Sequence, residues 1–172
     1  MLLKVGRSFV PLLVAQFALS ACAASARGSL EPMAVPQRDV VPGSTVALAI
    51  NSDTTADAQQ VVTRLRERLF GALVAEGLFT QVVPAHSAAG YDLEVNITEV
   101  NKVSTASRVI LGVLGGRNRA TASVRLSKSG ETKPVRSFTA TGESAAHPAS
   151  SESGMEDAVR LLAQEIMLGL HR

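Results

Sequence analysis

The sequence has 172 residues, of which 46% are hydrophobic, with 17 Lys and Arg against 15 Asp and Glu. A single Cys excludes an intramolecular disulfide and a multi-cysteine zinc site, and 3% aromatic residues without Trp argue against a stacking surface for bases or sugars. Lys4 and Arg7 account for the whole excess of positive charge, so the composition gives no argument for a nucleic-acid partner.

The first 21 residues have the organisation of an export signal. Lys4 and Arg7 form a positively charged start, and residues 8–21 form a mostly apolar run. This run of about 14 residues is shorter than the 20 or so that span a bilayer, which is typical of a secretory signal. Removal of residues 1–21 leaves about 150 residues, enough for one domain with a hydrophobic core.

The signal ends in the residues LSAC at positions 19–22, which resemble the lipobox of bacterial lipoproteins. The resemblance implies cleavage between Ala21 and Cys22, a thioether from the Cys22 sulfur to diacylglycerol, and acylation of the new amino terminus by a fatty acid such as palmitate. Acyl chains in this number exceed the two membrane signals that stable anchoring requires. The alternative is an ordinary secretory signal that is cleaved near Ala21 or Ala24.

The residue after the cysteine bears on which membrane holds the protein. In the lipoprotein family an aspartate at this position retains the protein in the inner membrane, whereas this sequence has Ala23. The resemblance therefore implies the outer membrane, with the protein facing the periplasm.

Residues 22–44 are rich in Ala, Ser, Gly and Pro and have no apolar periodicity. This composition predicts a flexible tether between the acylated Cys22 and a single domain over residues 45–172. The alternative is an ordered arm packed on the domain, because the stretch also contains several apolar residues.

The first half of the domain predicts a strand, a helix and a second strand. Residues 45–50 form a short apolar run typical of a buried strand. Asp57 and Gln60 resemble a capping box, and the apolar residues that follow at helical spacing predict an amphipathic helix closed by Gly77. Residues 79–84 form another short apolar run, which predicts the second strand.

The second half predicts three more strands. Apolar and polar residues alternate over residues 91–98, and the phase slips before Val100, which indicates a bulge or a bend. The same alternation recurs over residues 120–127. A turn at residues 129–131 then leads into residues 135–143, so these last two strands are predicted to form an antiparallel hairpin.

A final helix follows a second capping-box pattern at Ser153 and Glu156, with a regular apolar stripe as far as Leu170. The element order is therefore β-α-β-β-β-β-α. It predicts an α+β fold in which a mixed, mostly antiparallel sheet of about five strands carries two helices on one face.

Residues suited to catalysis are few and scattered. His86, His147 and His171 lie in predicted loops or at the carboxyl terminus, and the sequence has no H-E-x-x-H, G-x-S-x-G or phosphate-binding loop. Asp92 and Glu94 share the polar face of one strand, where solvated acids are commoner than catalytic pairs. We therefore expect no enzyme, no metal and no cofactor; a hydrolase using a serine and His147 is the minor alternative.

The connection over residues 108–119 is an apolar run bracketed by arginines. Loops seldom carry several large apolar residues without burying them. The run is therefore either an extra strand or loop folded over the core, or a contact site for a partner protein or a lipid.

Charge is concentrated in the same part of the chain. Residues 102–136 contain eight Lys or Arg against Glu131 alone, a net formal charge of +7. We expect the lysines of the hairpin turn to lie near the arginine-flanked connection and to form one basic surface with it, although basic residues at strand edges also serve to prevent aggregation. The predicted partner contact consists of Arg108, Ile110, Leu111, Leu114, Arg117, Arg119 and Arg125.

Four motifs of the domain resemble the small envelope lipoproteins of the domain of unknown function 4410 family, over roughly residues 40–170. The family often has an acidic turn in its last hairpin, where this sequence has Ser-Lys-Ser-Gly at residues 127–130. The family pattern contains no catalytic residues, so none is implied here. The motifs are Leu78-Phe79, Tyr91-Asp92-Leu93-Glu94-Val95, the glycine-rich residues 112–116, and residues 138–144 (FTATGES).

These features lead us to expect a non-catalytic outer-membrane lipoprotein that binds an envelope protein or forms a homo-oligomer. The layout also resembles the periplasmic α/β domains of outer-membrane assembly lipoproteins. The alternative is a lipid-binding or transport auxiliary that uses the basic hairpin to contact anionic lipid.

Overall fold

The computed structural model describes residues 25–26, 44–53, 55–104, 106, 116–145 and 151–172. The predictions for Ala21, Cys22 and His147 lie outside these residues, as do those for Arg108, Ile110, Leu111 and Leu114.

The described residues form one sheet and two long helices. Across the sheet the strands lie in the order β1-β6-β5-β4-β2-β3; β2 runs parallel to both of its neighbours, and the other pairs are antiparallel. The predicted α+β fold is confirmed, with β1 as an additional two-residue strand at the edge. The strands are β1 (Ser25–Ala26), β2 (Thr45–Asn51), β3 (Gln81–Pro84), β4 (Tyr91–Asn101), β5 (Arg119–Lys128) and β6 (Pro134–Glu143), and the helices are α1 (Ala56–Ala75) and α2 (Ser151–His171).

Both helices cover the same face of the sheet, which we call the covered face. The alternation in β4 and β5 places Leu93, Val95 and Leu126 there, and all three are buried. Leu65 of α1 and Leu162 of α2 belong to the same core and cover these strand residues on the helix side. Each fully buried side chain of this size contributes about 1.5–3 kcal/mol through removal of apolar surface from water.

The register agrees with the predicted bulge and hairpin. β4 and β5 pair regularly from Tyr91 to Ile97, and the register shifts between Ile97 and Glu99, next to the phase slip before Val100. β5 and β6 form the predicted antiparallel hairpin. Val124 pairs with Phe138, so Phe138 lies on the covered face as the alternation requires.

The helix starts differ from the predicted capping boxes. Thr55 is the N-cap of α1: its side chain accepts a hydrogen bond from the amide of Ala58 at 3.3 Å, and Asp57 lies inside the first turn. α2 begins at Ser151, so Ser153 is helical. The two predicted capping boxes are therefore wrong, because Asp57 and Ser153 lie inside the helices, and Gln60 and Glu156 contact the neighbouring helix. The predicted end of α1 is confirmed, with Gly77 at a φ of 70°.

The two helices run side by side in the same direction. Gln60 donates a hydrogen bond to Glu152 at 3.0 Å near their starts, and His171 contacts Glu76 at 2.7 Å near their ends. Ion pairs of Arg64 and Arg68 with Glu156 lie between these contacts. Neither helix of the described chain is long and apolar enough to cross a membrane.

Candidate functional site

Two groups of basic residues lie at opposite ends of β5. We call one the arginine end, formed by Lys102, Arg117 and Arg119 with Glu143. The other, the hairpin end, is the turn over residues 128–134 between β5 and β6. The ten residues of β5 separate the two ends by about 30 Å at a rise of about 3.3 Å per residue. The expected proximity of the turn lysines to the arginine-flanked connection is therefore wrong, because an antiparallel hairpin carries its turn to the far end of the strand.

The arginine end is built around one buried carboxylate. Arg117 Nη1 lies 3.2 Å from Glu143 Oε1, and Arg119 Nη2 lies 3.1 Å from Glu143 Oε2. The Glu143 side chain is 7% exposed, whereas the two arginines are 36% and 45% exposed. Two guanidinium groups thus share one carboxylate, which leaves the group with a net positive charge and with N–H donors on its solvent side.

A buried asparagine holds this end of the sheet together. The Asn118 side chain is fully buried and accepts a hydrogen bond from the Val103 amide at 2.8 Å, just after β4. The backbone N–H of Asn118 donates to Ser144 Oγ at 3.1 Å, just after β6. Asn118 therefore fixes the exits of β4 and β6 against the start of β5 and so positions both neighbouring arginines.

Lys102 connects the arginine end to the starts of both helices. Its Nζ lies 3.0 Å from Asp57 Oδ1 in the first turn of α1 and 3.8 Å from Glu152 Oε2 in the first turn of α2. The hydrogen bond and the charge of Arg64, with a smaller effect of Lys102, hold the pKa of Glu152 below its ordinary value. Both carboxylates also lie where the helix dipole favours negative charge.

At and near the hairpin end, two arginines bind the main chain. Arg125 donates to the carbonyl oxygen of Thr132 across the turn, and Arg136 Nη1 donates to the carbonyl oxygen of Gly169 at 3.1 Å, near the end of α2. Partial burial lowers the pKa of Arg136. Among the residues described, Lys128 and Lys133 form no ion pair; Lys133 is exposed and Lys128 is half-buried.

The opposite face of the sheet, which no described helix covers, is called here the open face. It is polar: Asn51 Nδ2 donates to Asn96 Oδ1 at 3.0 Å, and the hydroxyls of Thr141 and Thr121 lie 3.3 Å apart. A cleft of about 580 Å³ opens on this face beside the loop between β3 and β4. Its lining includes Ala47, Ala49, residues 85–89, Asp92, Glu94, Arg125, Ser127 and Glu131.

The histidines and carboxylates of the described chain do not assemble into a metal site. No group of three or more His, Cys, Asp or Glu residues in those ranges is placed to hold a metal ion. His86 lines the cleft and has a φ of 65°, which few residues other than glycine adopt. His171 contacts Glu76 at the end of the helix pair.

Large exposed apolar side chains lie on the outside of the helix layer, and the sequence analysis did not single them out. Phe70 is 51% exposed and Val74 42% exposed on α1, and Leu168 is 47% exposed on α2. Phe70 and Val74 are four residues apart and fall outside the apolar stripe of Leu65 and Leu69. That offset from the core stripe is the sequence signal that could have identified them.

A family model described as Domain of unknown function (DUF4410) matches residues 13–148. The chain belongs to this family. The matched range includes every strand in the described part of this DUF4410 protein and confirms the resemblance seen in its motifs. No curated protein matches the chain in sequence.

Several solved structures match the chain. The PelC dodecamer from Paraburkholderia phytofirmans is 16% identical with a TM-score of 0.53, and the match covers 79% of this chain and 95% of PelC. Protein XCC0632 from Xanthomonas campestris (DUF330) is 12% identical with a TM-score of 0.52, covering 84% and 91% of the two chains. A putative lipoprotein from Caulobacter crescentus CB15 is 17% identical with a TM-score of 0.37, covering 72% and 86%. At these identities, what the DUF4410 chain shares with the first two is the fold.

Proposed function

We propose that this DUF4410 protein is a non-catalytic lipoprotein that is anchored by Cys22 in the outer membrane, faces the periplasm and assembles with copies of itself into an interaction module. The lipobox-like residues 19–22 support the anchor, and Ala23 supports the outer membrane. The similar fold of PelC, a dodecamer, supports self-assembly. The observation that carries the proposal is the placement of Phe70, Val74 and Leu168.

The apolar pair on α1 points away from α2. Successive helical residues are turned by about 100°. Arg68 faces α2, where it binds Glu156, and Leu69 faces the sheet, where it is fully buried. Phe70 is turned one further step, to the side of α1 that is remote from α2, and Val74 follows one turn later.

The apolar residue on α2 lies on that helix's free surface. Glu156 faces α1, and Met167 lies eleven residues, or about three turns, later on the same side. Leu168 is turned a further 100°, away from α1 and from the sheet. The helix pair therefore carries exposed apolar side chains on both of its outer sides.

The two apolar positions also lie at the same height along the helices. The side-chain contacts that join the helices link residues 88 to 95 positions apart, and the separation of Val74 and Leu168 falls within this range. A rotation about an axis parallel to the helices therefore brings Leu168 of one copy against Phe70 and Val74 of the next. This is a heterologous contact, which generates closed rings when the rotation closes.

Native mass spectrometry of the full-length lipoprotein in detergent tests this assembly. Phe70→Asp and Leu168→Asp should each reduce the assembly to monomers, because each places a charge in one half of the contact. Ser129→Asp adds the same charge in the exposed hairpin turn and should leave the assembly intact.

A mixture of the two variants gives the sharper result. Phe70→Asp keeps an intact Leu168 side, and Leu168→Asp keeps an intact Phe70 side, so the mixture should form a heterodimer with one native contact and nothing larger. A mixture that stays monomeric would contradict the heterologous contact, and single variants that assemble like the wild type would contradict self-assembly through the helix layer.

The alternative function, a lipid-binding or transport auxiliary with a basic hairpin, has weaker support. Arg125 and Arg136 each donate to a main-chain carbonyl oxygen, which holds these side chains against the protein surface. Lys128 and Lys133 remain, and two lysines form a small anionic-lipid site compared with the clusters of four to eight that such sites use.

A further inference from the structure

We infer that the arginine end of the sheet rests on the lipid head groups of the membrane, with Arg117 and Arg119 contacting lipid phosphates, while the hairpin end points about 30 Å away into the periplasm. The inference rests on the proposed lipid anchor at Cys22. It adds an orientation and a membrane-contact surface to that anchor.

The position of β1 carries the argument. Ser25 pairs with Glu143 and Ala26 pairs with Gly142, so β1 lies at the arginine end. Cys22 precedes Ser25 by three residues, and an extended chain spans at most about 3.6 Å per residue. A lipid on Cys22 therefore holds Ser25 within about 11 Å of the bilayer surface, and Glu143, its partner on β6, within about 16 Å, whatever the length of the Pro-rich stretch that follows.

The start of β2 lies at the other end of the molecule. The Ser44 carbonyl oxygen accepts from the amide of Thr80, and the Thr45 carbonyl oxygen accepts from Gly90, whose own carbonyl oxygen accepts from Ser129 beside the hairpin turn. The chain between β1 and β2 thus joins opposite ends of the sheet. The residues that set the distance to the membrane are those between Cys22 and Ser25.

The chemistry of the arginine end suits lipid phosphates. Arg117 and Arg119 are 36% and 45% exposed, and both bind the one buried carboxylate of Glu143. Each guanidinium carries five N–H donors in a planar fork, and only part of each fork reaches Glu143. Because both side chains are partly exposed, the remaining donors are available to phosphates at the end of the sheet that the anchor brings to the membrane.

Site-specific quenching on the lipidated full-length protein tests the orientation. Cys22 is the only native cysteine and its sulfur is consumed by the lipid, so Asn101→Cys at the arginine end and Glu131→Cys at the hairpin end each provide a unique site for a fluorophore. In vesicles of phosphatidylethanolamine and phosphatidylglycerol with a nitroxide on the head groups, quenching at residue 101 should exceed that at residue 131 several-fold. Equal quenching at both sites would overturn the inference.

Two matched insertions test the role of β1. Ten Gly and Ser residues inserted between Ala23 and Ala24 should lower the quenching at residue 101, because the anchor is then freed from the sheet. The same insertion between Pro36 and Gln37, after β1, should leave the quenching unchanged. If the two insertions have the same effect, β1 does not set the distance to the membrane and the inference fails.

Two charge variants test the phosphate contact. Arg117→Gln/Arg119→Gln should lower the quenching at residue 101 and its sensitivity to salt, whereas Lys128→Gln/Lys133→Gln removes the same formal charge at the hairpin end and should change neither. Equal effects of the two pairs would refute a phosphate contact at the arginine end. Incorporation of labelled palmitate is measured in parallel: its absence refutes the proposed anchor, whereas a lipidated protein with equal quenching refutes the orientation alone.

Discussion

The two faces of the sheet are stabilised by different interactions. On the covered face, α2 approaches β6 so closely that Gly142 has no room for a side chain, and most side chains of the core are Ala, Val, Leu and Ile. On the open face the same strands carry Thr, Ser and Asn, which satisfy one another or face solvent. One strand thus has a face where volume decides stability and a face where hydrogen bonding and charge decide it.

This difference between the faces indicates which surfaces of the molecule tolerate substitutions. A tightly packed face resists both added and removed volume, because protein interiors are as dense as organic crystals. A polar, uncovered face tolerates substitution unless a residue has a buried partner. The open face and the two ends of the sheet are therefore the surfaces that tolerate functional substitutions. Neighbouring residues of one strand point to opposite faces, so they provide matched pairs of variants that test this difference.

The largest expected effect is that of Gly142→Ala. A Cβ atom on Gly142 would overlap the backbone oxygen of Ala158 and the backbone nitrogen of Leu162, so α2 would have to move as a whole. We expect a loss of about 3 kcal/mol or more in the free energy of unfolding, measured by urea denaturation. Thr141→Ala on the open face is the control and should cost less than about 1 kcal/mol. Similar losses for both would show that the faces do not differ in packing.

Glu143→Gln tests how much a buried charge on the open-face side of β6, the strand that also contains Gly142, contributes to stability. The substitution leaves Arg117 and Arg119 facing a neutral amide at a buried position. Removal of one partner from a buried pair costs about 3–5 kcal/mol, and the partial exposure of the arginines reduces our expectation to about 2 kcal/mol. Glu94→Gln, on the same face and exposed, should change the free energy of unfolding by about 0.5 kcal/mol or less. A loss for Glu143→Gln no larger than this control would contradict the importance of the arginine end for stability.

The sequence predicted the covered face well, because alternation is a local pattern. The residues of β4 and β5 that alternate in the sequence are those that alternate between the faces, and the slip before Val100 marks the bulge. The pairing of β1 with β6 was not predictable, since Ser25 and Ala26 have no pattern of their own and the contact joins distant parts of the chain. The basic surface was misjudged for a related reason: a net charge over residues 102–136 takes no account of the length of β5.

The arginine end shows the same limit at the level of single residues. The sequence identified Arg117 and Arg119 as prominent charges but not Glu143 as their partner. That partnership follows from the register in which Arg119 lies opposite Glu143. Register between two strands depends on packing and turn geometry across the whole hairpin, which no local window of sequence contains.

A second glycine contact sharpens the comparison within the covered face. A Cβ on Gly169 would meet the ring of Phe138 rather than backbone, and this ring is only partly buried. Gly169→Ala also gains about 1 kcal/mol of helix propensity, so we expect a net loss below about 1 kcal/mol. Addition of Phe138→Leu to this variant should remove the overlap with the ring. A double-mutant cycle would then show a favourable coupling energy between the two substitutions. A loss as large as that of Gly142→Ala would mean that the ring cannot move.

The smallest effect concerns the solvent side of the helix layer, where packing contributes least. Arg64 lowers the pKa of Glu152, so this carboxylate stabilises the fold above the ordinary pKa of 4.5, and the stabilisation is lost as the pH falls through the lower folded pKa. Glu152→Gln should therefore lower the melting temperature slightly near neutral pH and have no effect in acid, where Glu152 is protonated. Glu131→Gln, which removes an exposed acid with no ion pair among the described residues, should change the melting temperature less than Glu152→Gln near neutral pH. If the difference in melting temperature between Glu152→Gln and the wild type persists unchanged into acid, the Glu152 side chain acts through packing and not through charge. The solvent side of the helix layer would then depend on packing, as the covered face does.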